Sequence, residues 1–191
     1  MNPLKDRMPP LREEQMDKFQ RAAAMELIAG PRKGVKGPFI PLLRSPQLMA
    51  RLQKVGEYLR FESSLTPRIS EFATLVISRQ WTQQFEWATH VPLALKSGSQ
   101  QLTIDALADG SRPTNMSAEE ALVYDLICEL TCNRGVCDET YRTAVEALGE
   151  HGVIDLVGII GYFTLISMVL NVAHTPPEST SAIAVLGPMP K

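Results

Sequence analysis

The run Val153–Ala173 (VIDLVGIIGYFTLISMVLNVA) constrains this chain most, because 21 nearly uninterrupted apolar residues must be hidden from water on more than one side. It is long enough to span a bilayer. However, Asp155 near its start, Asn171 near its end, and Gly158 and Gly161 between them fit a central helix of a bundle, with glycines admitting close neighbours. The rest of the chain supplies helices to surround it. Met16, Phe19, Ala23 and Leu27 recur at helical spacing over residues 11–29, and Gly30-Pro31 stops the pattern. Ser45-Pro46 opens a helix carrying Leu48, Leu52, Val55 and Leu59, with serine as its cap. Thr66-Pro67 repeats the device for a helix with Leu65, Ile69, Phe72, Leu75 and Val76 as its stripe. Residues 99–108 suggest a short helix, Ser117 to Glu120 a capping box opening a helix to about Asn133, and Asp138 the cap of one ending at Gly149. Between the first two helices, residues 30–46 hold Pro31, Pro38, Pro41 and Pro46 with Gly34 and Gly37, and read as an extended loop able to cap a pocket. The class is all-α.

Chemistry concentrates in residues 70–98. Glu86 and His90 stand four apart and share a helix face, with Gln83 one turn further back. A carboxylate beside an imidazole fixes its tautomer and raises its basicity, which suits proton transfer. Glu71 sits next to an apolar stripe, where desolvation would raise its carboxyl pKa provided no basic group pairs with it. With 19 residues between them, Glu71 and His90 would be roughly 28 Å apart on one straight helix. A shared site therefore requires a chain reversal near Gln80 to Gln84, which no glycine or proline marks. Trp81, Phe85 and Trp87 could wall an apolar pocket there, Arg68 and Arg79 could clamp a substrate carboxylate, and Tyr162 could aim its hydroxyl at the same region.

The segment with Pro67-Arg68, Glu71 and Phe85-Glu86-Trp87-Ala88-Thr89-His90-Val91-Pro92 resembles the carboxymuconolactone decarboxylase and alkyl hydroperoxidase D superfamily, over about residues 38–174. Peroxidase members of that superfamily carry a glutamate, a Cys-x-x-Cys pair, and a histidine four residues after the second cysteine. Aligned on His90, the glutamate falls on Glu71, and the cysteine positions are occupied by Gln83 and Glu86. Without thiols there, thiol peroxidase chemistry is excluded at those positions. The resemblance places the reversal between two helices and implies an alkyl hydroperoxidase D-like helical bundle assembled as a trimer or hexamer. It further implies non-redox acid/base chemistry on a small carboxylated or lactone substrate, through Glu71, Glu86 and His90.

Cys128, Cys132 and Cys137, at spacings of four and five, are not metal-finger spacings; they read as buried small hydrophobes, with a redox use of Cys128 and Cys132 as the alternative function. A catalytically silent binding protein of the same fold is the third reading. No metal and no cofactor is expected. The net charge of −2 divides unevenly, with 12 Lys/Arg against 6 Asp/Glu in residues 1–60 and 7 against 15 in residues 61–191. A basic arm docking on an acidic body explains this better than nucleic-acid binding, because the loop cations lack aromatics for stacking. The organisation expected is an arm over 1–45, a helical domain over 46–174 and an extended tail over 175–191 containing Pro176, Pro177, Pro188 and Pro190. Residues 1–12 are polar and proline-interrupted, unlike a signal peptide, so a cytoplasmic protein that does not enter a membrane is expected.

Overall fold

A computed structural model describes residues 5–177 and 183–188. Within these, all regular structure is helical: a 3-10 turn, Glu13–Gln15, then α1 (Lys18–Ala29), α2 (Phe39–Leu42), α3 (Pro46–Phe61), α4 (Pro67–Gln80), α5 (Gln84–Lys96), α6 (Gln101–Ala108), α7 (Ala118–Asn133) and α8 (Asp138–Ala173). Pro190 lies outside the described residues.

The central helix is α4, which packs against α5, α6, α7 and α8. Every residue from Phe72 to Arg79 is buried. Its hydroxyls are internalised at little cost because Thr74 Oγ1 donates to Ser70 O at 2.8 Å and Ser78 Oγ to Thr74 O at 2.7 Å, so neither needs a partner outside the helix. Thr66 Oγ1 accepts from Ile69 N, and Pro67 occupies the first turn.

The apolar run expected at the centre is instead buried on one face only. In α8, Leu156, Ile159, Phe163, Ile166 and Leu170 are buried, while Ile154, Val157, Met168 and Val172 are exposed. By length and composition alone this helix could cross a membrane. Gly149, at φ 69°, breaks it into two helical stretches where the sequence placed a helix end. The two polar residues of the run each tie down a loop. Asp155 accepts from Ser64 N at 2.8 Å, Ser64 Oγ at 2.9 Å and Tyr58 Oη at 3.0 Å. Burial opposes its anion, yet these bonds hold its carboxyl below the usual range. Asn171 accepts from Gln83 Nε2 at 2.8 Å and donates to Trp81 O at 3.1 Å, fixing the connection between α4 and α5.

Several local expectations change. The first helix starts at Lys18 and not near Leu11, because Asp17 forms a capping box with Gln20. The loop over 30–46 contains one turn of helix, α2, since Pro41 falls where a missing donor costs little. Ser45 makes no capping bond. The buried face of α3 is Met49, Gln53, Gly56 and Leu59, leaving Leu48 and Val55 exposed, because Gly56 is the position at which Tyr162 closes against the helix. Cys132 and Cys137 are exposed and Cys128 half-buried, so these thiols are not core side chains. Residues 183–188 fold back on the start of α5: Gln84 Nε2 donates to Ala184 O, Leu186 N donates to Gln84 Oε1, and Leu186 is buried.

Asp155→Ala removes an acceptor that three donors share at a buried position. It should lower unfolding stability by about 3 kcal/mol in urea titrations at neutral pH, with the m-value unchanged.

Candidate functional site

The reversal between α4 and α5 is made by Trp81, Thr82 and Gln83. Thr82 takes a left-handed backbone, φ 45°, that a β-branched residue rarely adopts. Hydrogen bonds hold it there: Thr82 N donates to Arg79 O, Gln83 N donates to Ser78 O, and Gln83 Oε1 caps the new helix by accepting from Phe85 N at 2.6 Å. The helices then run back to back, and this brings Glu71 and His90 together.

His90 Nδ1 lies 2.6 Å from Glu71 Oε2, and Nε2 lies 3.3 Å from Glu86 Oε2. The ring is 3% exposed and stands edge-on to Phe163, with centroids 5.2 Å apart and planes at 86°. Burial alone would disfavour the imidazolium, but hydrogen bonds to Glu71 and then Glu86 outweigh it and raise the His90 pKa to about 9. A neutral imidazole has one N–H, so donating to both carboxylates at once requires the cation. The sequence reading of His90 as the neutral-pH base is thereby altered: at pH 7 the ring already carries its proton. Glu71 has the basic partner whose absence was the condition for a poised carboxyl.

The two carboxylates face different openings. Glu86 lines a cavity of about 350 Å³ bounded by Arg32, Phe39, Phe85, His90, Tyr162 and Phe163. Glu71 faces a more open depression that includes Arg68, Leu93 and Lys96. The imidazole thus joins a partly enclosed chamber to the protein's outer surface through one chain of ionisable groups.

Of the other residues singled out in the sequence, Tyr162 reaches the chamber, where its hydroxyl stands beside Arg32. Burial pushes its pKa up. The remaining ones serve structure. Arg68 Nε and Nη2 each lie 3.0 Å from a different oxygen of the fully buried Glu120, which also accepts from Ser117 N in the α7 capping box. Arg68 is therefore spent on neutralising that acid. Arg79 is buried and donates to Thr82 Oγ1 and Pro188 O, on a separate groove. Gln83 caps α5 and binds Asn171. The aromatics diverge, because successive turns of the reversal point them to different sides: Trp87 is 2% exposed in the core, Trp81 lines the Arg79 groove, and only Phe85 borders the chamber.

Cys128 and Cys132 also line the Arg79 groove. Burial, the largest influence, raises the Cys128 pKa, which opposes thiolate formation.

Sequence reasoning missed Arg32, Arg60 and the phenylalanines Phe39 and Phe163. Arg32 was read as part of a basic arm, and Arg60 falls in the helical domain without a role. Only the Gly30-Pro31 helix stop ahead of a basic pair hinted that Arg32 is held in a turn.

No protein-family model matches the chain, and no curated protein is significantly similar to it.

Because His90 is more basic when folded, at about 9 against 6.5, its protonation favours the native state. That contribution is complete below about pH 6.5 and is lost as pH rises through 9, a loss on the order of 3 kcal/mol. Urea titrations at pH 6.5 and 9.5 should show it in the wild type, and His90→Gln should lack this component of the fall.

Proposed function

We propose that this chain is a non-redox acid/base enzyme acting on a small carboxylated or lactone compound, built as a cysteine-less relative of the carboxymuconolactone decarboxylase and alkyl hydroperoxidase D-like helical bundle. The observation that carries the reading is the Glu71–His90–Glu86 chain, which ends in the chamber at Glu86 and near the surface at Glu71. Glu86 is the group that meets substrate. It takes a proton from a carbon next to a carboxylate or lactone carbonyl, and the electron pair left on that carbon delocalises into the carbonyl group. The imidazolium keeps both its protons, on Nε2 toward Glu86 and on Nδ1 toward Glu71, so the charge of the group changes by one without exposing the ring. Return of the proton from Glu86 to the same or a neighbouring carbon completes an exchange or an isomerisation. In a decarboxylation the carbon keeps its own hydrogen, the electron pair of the breaking carbon–carboxylate bond delocalises into the carbonyl group as carbon dioxide leaves, and a proton that Glu86 has taken from water is delivered to the carbon.

Glu71 is a positioning residue in this scheme, holding the ring by its shorter contact and offering a path for protons to water. The expected setting is the cytoplasm, with the subunits assembled as a trimer or hexamer and no nucleic-acid or membrane partner. The exposed apolar face of α8 is consistent with burial against a further copy.

The test is hydrogen–deuterium exchange at carbon. Small 3-oxo acids and unsaturated lactones incubated with the protein in deuterated water should lose α-proton NMR signal. Glu86→Gln should slow exchange at least about 100-fold, as expected for loss of a general base. A Cys128/Cys132/Cys137 triple serine variant should exchange at the wild-type rate, and dependence on the thiols would overturn the reading.

A further inference from the structure

The chamber contains a cation that the fold leaves without a carboxylate partner. Arg32 sits in the loop between α1 and α2, its guanidinium 4.5 Å over the Phe39 ring and beside the Tyr162 hydroxyl. Its Nε and Nη2 are buried and have no hydrogen-bond partner, and among the described residues no carboxylate comes within ion-pair distance of it. Arg68, Arg112 and Arg142 each lie against carboxylates, and the buried Arg79, which has none, donates to Thr82 Oγ1 and Pro188 O on a different groove. Donors withheld from water without partners are costly, and here they belong to a half-buried side chain that borders a cavity, which points to an absent acceptor at that wall.

The surroundings define that acceptor. Arg60 and Lys36 also border the chamber, so three side-chain cations line it with one carboxylate, Glu86, and that carboxylate is already paired with the His90 imidazolium. Glu57 acts on Arg32 only from outside the lining. The site lacks negative charge. The remaining lining includes Phe39, Phe61, Phe85, Phe163 and Ile166, which suits a compact apolar body and offers little to a hydrated polyanion. The geometry is held from behind by Gly56. A methyl group there would stand 2.2 Å from Tyr162 Oη and 2.8 Å from Arg32 Nη2. On the loop side Gly37, at φ 54°, lies where a Cβ would meet the Phe85 ring at 2.6 Å, so the segment carrying Arg32 is seated closely against the wall of the chamber.

We propose that Arg32, with the Tyr162 hydroxyl beside it, is the binding site for the carboxylate of a small substrate whose unsaturated or aromatic body lies among these phenylalanines. A guanidinium fork matches a carboxylate in two parallel hydrogen bonds, and stacking on Phe39 fixes the plane of that fork. This assignment rests on reading Glu86 as the reactive group of the same chamber. It orients the substrate with its anionic end at the Arg32 wall and the carbon it activates toward Glu86.

Binding is measured by calorimetry, with benzoate as the carboxylate probe, benzamide as its neutral isostere and inorganic phosphate as a non-apolar anion. The wild type should bind benzoate at least about tenfold more tightly than either of the others. Arg32→Gln should weaken benzoate roughly 10- to 100-fold without changing benzamide, and Arg32→Lys should restore only part, because a point charge does not reproduce the fork. Removing an unpaired cation should leave the melting temperature unchanged or raised, whereas a fall would mark Arg32 as structural and overturn the proposal. So would equal benzoate binding by wild type and Arg32→Gln, absence of benzoate binding, or a preference for phosphate. Glu86→Gln should still bind benzoate. If it does while no substrate exchanges protons in the wild type, the catalytic reading falls and the carboxylate site stands.

Discussion

The contact between His90 Nδ1 and Glu71 Oε2 is the interaction around which this molecule is organised, because it joins two helices whose residues lie 19 apart in the chain. It exists only because α4 and α5 fold back on one another at a turn containing neither glycine nor proline. Thr82 supplies the left-handed backbone, an unfavourable choice offset by the bonds around it and by Gln83 and Asn171, which link the turn to α8. A polar residue in the most apolar helix thus positions the acid/base group, although it never touches it.

Electrostatics gives the group its character. Two carboxylates around one nearly inaccessible imidazole stabilise the imidazolium more than burial destabilises it, so the ring is a charged bridge at neutral pH. That assignment moves proton acceptance from His90 to Glu86, the member that borders the chamber. The same logic, with the sign reversed, marks Arg32. Arg68 meets the buried Glu120 with a charge of opposite sign, whereas neither Arg32 nor Arg79 has a carboxylate partner; Arg79 gives hydrogens to Thr82 Oγ1 and Pro188 O, and Arg32 differs in bordering the chamber that Glu86 lines.

Apolar content and centrality separate in this fold. The sequence draws attention to residues 153–173, yet α4 is the helix enclosed on all sides. Its hydroxyls can be buried because the helix backbone accepts their hydrogens, and two nitrogens of the Arg79 guanidinium find acceptors in Thr82 and Pro188. The α8 helix keeps an exposed row of Ile154, Val157, Met168 and Val172 instead.

Local rules were sufficient for much of this. Proline and threonine at the start of α4, the Ser117 capping box, the break at Gly149 and the Ile69, Phe72, Leu75 and Val76 stripe follow from interactions within a few residues, and so they can be read along the chain. The pairing of Glu86 with His90 is of this kind too. The roles of Arg68, Arg79, Gln83, Trp81 and Trp87 could not be read in this way, because each depends on which distant element lies opposite: Glu120, Pro188, Asn171 or the core. Arg32 was hidden for the same reason, being an ordinary loop cation until Tyr162, Phe39 and Gly56 surround it. Spacing along the helix determined which side chains share a face, while tertiary folding alone decided which charges found partners, since charge balance in a cavity depends on everything that lines it.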